Sequence, residues 1–115
     1  MTRYALAIAT IFSALPAMAQ EAVTGEAIRA AITGNTVQGA MSDATAYTEF
    51  YAADGVIKGK DYVGVWTIDG DKMCFAYDAP ATCFGVQIVG DQVTWVGDAG
   101  DAGTGTILPG NPNGF

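Results

Sequence analysis

Cys74 and Cys83 are the only thiols in this 115-residue chain, and no histidine accompanies them. Two thiolates fill half of a tetrahedral zinc shell, and the spacing is not that of a CxxC redox motif. The pair is therefore expected as a structural disulfide, closing a short loop and stabilising the fold by about 2–3 kcal/mol. Absence of histidine removes the commonest general base and every histidine-dependent triad. Ser42 is the one serine beyond the first twenty residues, sits in a predicted turn and lies in no GxSxG elbow. Asp69 with Asp71, and Asp98 with Asp101, are close enough in sequence to suggest sugar hydrolysis or calcium binding. Glycosidase carboxyls need a groove and one raised pKa, and the twelve-residue calcium-loop pattern is missing. The expectation is no catalytic residue, no metal and no cofactor: a chain that is not an enzyme.

Aromatic side chains are the remaining candidates for recognition. Tyr47 and Tyr51 share one face of a predicted strand with Glu49, opposite Phe50. Tyr47, Tyr51 and Trp66 are taken as the candidate binding surface. The other rings, Tyr62, Phe75, Tyr77, Phe84 and Trp95, fall with Trp66 on a large-residue face expected to form the core.

The first nineteen residues, MTRYALAIATIFSALPAMA, have the composition of an export signal. Arg3 starts it, an apolar run follows to Leu15, Pro16 breaks it, and Ala17-Met18-Ala19 is a small-x-small site. Cleavage is expected between Ala19 and Gln20, with no membrane span left afterwards. The destination is outside the cytoplasm, in the periplasm or the medium, where a cysteine pair closes. Without the leader, Arg29, Lys58, Lys60 and Lys72 stand against twelve carboxylates, a net charge of −8. Such a chain repels nucleic acid and anionic membrane surfaces.

These residues must be positioned by few elements. Val23, Ala27, Ile28, Ala31 and Ile32 make one apolar stripe at helical spacing, predicting a helix over roughly 22–33. Gly25 weakens its start, and Gly34-Asn35 stops it with a left-handed residue. From Thr36 the period changes to two. Strands are predicted over 36–41, 45–53, 56–60, 62–68, 73–77 and 83–89, with another around Val93 and Trp95. Asp54-Gly55, Asp69-Gly70 and Gly90-Asp91 are the turns. The fold class is α+β, mostly β: one N-terminal helix packed on an antiparallel meander sheet or small partly closed barrel. The divisions are a signal peptide at 1–19, one domain at 20–97 and a glycine-rich flexible tail at 98–115.

The cysteines test this scheme. A five-residue loop from Asp78 to Thr82 offsets Cys74 from Cys83 by three residues, about 10 Å along the ladder. A disulfide needs Cα atoms roughly 4.4–6.8 Å apart. Either the strands stop early or the chain around Pro80 folds back, giving an irregular cross-linked corner.

The arrangement resembles small exported bacterial proteins of unknown function. The shared features are the signal, a helix ending in a GN box (Gly34-Asn35-Thr36), FYAADG at 50–55, GVWTIDGDKMCF at 64–75, and Cys83. A looser likeness is to small exported β-barrel inhibitors of bacterial proteases, which present a Gly-x-Trp strand (here Gly64-Val65-Trp66) beside a cysteine pair. The first resemblance implies an exported, disulfide-linked domain; the second implies hydrolase inhibition. The functional expectation is a non-enzymatic domain binding a protein or cell-envelope component through a sheet face or edge. The alternative is an inhibitor of a secreted protease or muramidase. The sequence sets no oligomeric state.

Overall fold

The computed structural model describes residues 22–115. The expected leader and its cleavage point at Ala19–Gln20 lie outside the described residues. The element order is α1 (Gly25–Ile32), β1 (Asn35–Met41), β2 (Ala46–Tyr51), β3 (Val56–Lys58), β4 (Val63–Asp69), β5 (Lys72–Ala76), β6 (Thr82–Val89), β7 (Gln92–Gly97) and β8 (Gly100–Leu108).

Each strand pairs antiparallel with the next, and β1 pairs with β8, so the sheet is a closed up-and-down barrel. This corrects two expectations. The barrel is closed rather than partly closed, and the segment from residue 98 onward is not a flexible tail. It supplies β8, whose Thr104 and Gly105 face Ala40 and Gly39 across the seam. Beyond β8, Gly110 is held at the same seam: its N–H donates to Asn35 and its carbonyl accepts from the Thr36 hydroxyl. Closure leaves no strand wholly unpaired among the described residues, although β3 meets β2 only at Phe50 and Tyr51, so residues 46–49 of β2 pair on one side alone.

Glycine makes this last strand possible. A Cβ on Gly105 would run into the Tyr47 hydroxyl and Val37, so only a bare backbone lets the tyrosine ring cross there. The large-residue parity read from β4 to β7 is in part the barrel interior: Trp66 faces Phe75, Met73 faces Phe84, and Val86 faces Trp95 across adjacent strands. Tyr62 and Tyr77, expected in the same core, instead lie in loops beyond the strand ends and are exposed.

The helix closes one end of the barrel. Thr24 caps it, accepting from the Ala27 N–H at 3.2 Å, and Gly25 is its first residue. The late start is explained by contact: a Cβ on Gly25 would collide with the Gly70 carbonyl in the β4–β5 turn. Asp71 holds the Gly25 N–H at 2.8 Å, so this carboxylate, one of the sugar-hydrolysis candidates, serves as an anchor for the helix. Ile28 and Ile32 are wholly buried among Val37, Tyr51, Ile57 and Trp66. Gly34 takes the expected left-handed conformation at φ 74°. The Asn35 amide then donates to the Ala31 carbonyl, tying the helix end to β1.

The Cys74–Cys83 disulfide is present, and the two residues are directly opposed in the β5–β6 ladder with Cα atoms 3.9 Å apart. The three-residue offset disappears because the register differs: the β5–β6 ladder ends at Phe75 opposite Thr82, and Tyr77, expected opposite Cys83, lies in the loop. Among the described residues, no helix is long and apolar enough to cross a membrane.

Candidate functional site

Opposite the helix, the turns joining β1–β2, β3–β4, β5–β6 and β7–β8 surround an open mouth. A cleft of about 620 Å³ descends from it into the barrel. That volume is within the range of small-molecule sites, and eight strands enclose either a packed interior or room for one small ligand. Met41, Tyr47, Phe75, Phe84 and Trp95 give the cleft its apolar and aromatic wall. Phe75 is the hub: it meets Trp95 edge-to-face at 5.2 Å, Phe84 at 5.9 Å and Tyr51 at 6.1 Å between ring centres.

Alternation along β2 turns Tyr47, Glu49 and Tyr51 into the barrel. Glu49 is only 6% exposed. A carboxylate in such a place must be hydrogen-bonded, and three phenols do this. Tyr51 donates to Oε1 at 2.8 Å, Tyr62 to Oε2 at 2.8 Å, and Tyr77 reaches both oxygens at 2.9 and 2.7 Å. Tyr62 and Tyr77 come from the β3–β4 and β5–β6 loops, so one carboxylate ties two rim loops to the barrel wall. Their rings meet edge-to-face at 5.9 Å. The Tyr77 ring lies over Gly64, where a Cβ would occupy its place. Nothing basic pairs with Glu49 among the described residues.

The phenols keep their protons. Burial, reinforced by the negative carboxylate, raises the pKa values of Tyr51, Tyr62 and Tyr77 well above the ordinary tyrosine range. Tyr47 is raised as well, chiefly by burial. It makes a separate relay, in which the Trp95 indole N–H donates to the Tyr47 hydroxyl at 2.8 Å and that hydroxyl donates to the Thr104 carbonyl at 2.8 Å.

The sequence-derived binding surface is only partly assembled here. Tyr47 lines the mouth. Tyr51 reaches Glu49 but is wholly buried, so it is a floor residue and not a surface one. Trp66 is 4% exposed and donates to the Ala52 carbonyl at 2.9 Å near the helix-closed end, away from the cleft. Parity alone could not separate the two ends of the barrel. Glu49, Tyr62, Tyr77 and Phe84 were missed as site residues. The available signal was a carboxylate set between two tyrosines at alternate positions, on a face that also carries the large rings.

Among the described residues, no group of acidic or cysteine side chains is arranged to hold a metal. Fold and cleft together define a closed eight-stranded antiparallel barrel with one plugged end and one aromatic mouth. Searches against protein-family models, curated proteins and solved structures return no match to this chain.

Proposed function

We propose that this chain is an exported, non-enzymatic binding domain whose ligand enters the mouth of the barrel. The observation carrying this reading is the 620 Å³ aromatic cleft, open at one end, in a barrel whose other end is plugged by a helix. An apolar cleft with a few converging polar groups is the usual form of a small-molecule site. The disulfide supports an oxidising compartment, periplasm or medium, as the place of action. A small envelope-derived molecule with an apolar body fits the cleft better than a protein strand fits the short one-sided stretch of β2 at 46–49.

Titration of the purified, oxidised domain with the uncharged fluorophore N-phenyl-1-naphthylamine tests this. Saturable fluorescence enhancement at one probe per chain is expected, and Phe84→Lys, placing a charge in the wall, should abolish it while the far-UV spectrum is retained. No saturable enhancement in the wild-type protein overturns the reading. Inhibition of a secreted protease or muramidase by the same preparation would then favour the inhibitor alternative.

A further inference from the structure

The chemical class of the ligand is open to argument from the charge inside the cleft, and this step rests on the binding reading above. A carboxylate placed 94% out of water is costly unless compensated, and a basic side chain is the usual compensation. Here the compensation is three neutral hydroxyls, which satisfy the lone pairs of Glu49 without cancelling its charge. The site therefore keeps an excess negative charge facing aromatic walls. All three donors are themselves cleft-lining rings, and a phenol that donates to a carboxylate presents a more electron-rich face. The rim has the same sign. Asp43, Asp61 and Asp78 stand in the loops around the mouth, where Lys60 is the loop cation among the described residues.

We infer that the barrel mouth recognises an organic cation, an alkylated or quaternary ammonium carried on an apolar body, with the cationic centre over the tyrosine rings around Glu49 and the body against Phe75, Phe84 and Trp95. Cation–aromatic attraction supplies the short-range preference. The carboxylate supplies a longer-range field that is strengthened by the low-dielectric walls. The hydroxyls hold Glu49 in place, so a cation need not break the network to benefit from its charge. Fatty acids and other anionic amphiphiles of the same size are excluded by the same field.

A matched series tests this by calorimetry: 4-phenylbutyltrimethylammonium, 4-phenylbutanol and 4-phenylbutyrate, with similar bodies and charges of +1, 0 and −1. The cation should bind about tenfold more tightly than the alcohol, and the carboxylate more weakly than the alcohol. Raising the salt concentration should weaken the cation selectively. Glu49→Gln should remove the preference, bringing the ratio of cation to alcohol affinity to within about twofold whatever the two absolute values become. If that variant fails to fold, the wild-type series and its salt dependence still decide. Equal binding of all three leaves the cleft as a binding site and overturns the cationic assignment. Tighter binding of the anion overturns it as well. Failure of all three, together with failure of N-phenyl-1-naphthylamine, removes both this inference and the reading beneath it.

Discussion

The two ends of the barrel are built from the same strands yet solve opposite problems. At the plugged end, Ile28 and Ile32 fill the opening, and Trp66 and Tyr51 pack edge-to-face behind them at 6.1 Å. The Trp66 indole there reaches the Ala52 backbone carbonyl, while the Tyr51 hydroxyl points the other way, to Glu49. At the open end, side chains of similar size leave space, and the polar groups gather on one buried carboxylate. The difference teaches that the helix supplies the apolar packing which lets the opposite end remain unfilled.

Removing a plug side chain should separate the ends most sharply. Ile28→Ala deletes most of a wholly buried side chain and is expected to cost about 3 kcal/mol in denaturant unfolding. Binding at the mouth should be little changed at temperatures where the variant remains folded. A comparable loss of binding affinity in the folded variant would show that the ends are not independent.

Replacing both cysteines acts nearer the mouth, because the bridge ties β5 to β6 below the loop carrying Tyr77. Cys74→Ala with Cys83→Ala should lower stability by about 2–3 kcal/mol. Amide hydrogen exchange should rise first across the β5–β6 loop, and only later in α1. Uniform acceleration over the molecule would erase the distinction drawn here.

Alkaline titration is the gentlest probe. The tyrosine pKa values are raised on folding, so the folded chain retains protons that the unfolded chain releases above about pH 10. Stability from these groups is thus fully present below about pH 10 and is lost as the pH rises toward the folded-state values. Buried Tyr51 should contribute a slope of about 1.4 kcal/mol per pH unit, and Tyr62, which is 44% exposed, a smaller one because solvent screens it. Phenolate absorbance should appear late and together with unfolding. Early, reversible ionisation without loss of structure would mean that the hydroxyl network is not closed as described.

Strands β1 to β7 were legible because large residues alternate with small or polar ones and paired turn residues separate them. The eighth was not, since a strand reading Gly-Asp-Ala-Gly-Thr-Gly has almost no side chains with which to display a period. Its glycines look like looseness in sequence but act as room for Tyr47 in the barrel. The cysteine count correctly paired Cys74 with Cys83, while the register that sets them opposite each other depended on where the β5–β6 ladder ends. The site was half visible. Parity grouped Glu49 with Tyr47 and Tyr51, but Tyr62 and Tyr77 join that group only through loops whose approach depends on barrel closure.

The seam between β1 and β8 also orders events in time. Thr36 must wait for Leu108 before the sheet can become a cylinder, so a growing chain keeps two raw edges until its final strand is available. The aromatic cup acquires its complete wall only at that moment. Without β8, β1 and β7 would each stand as a bare edge.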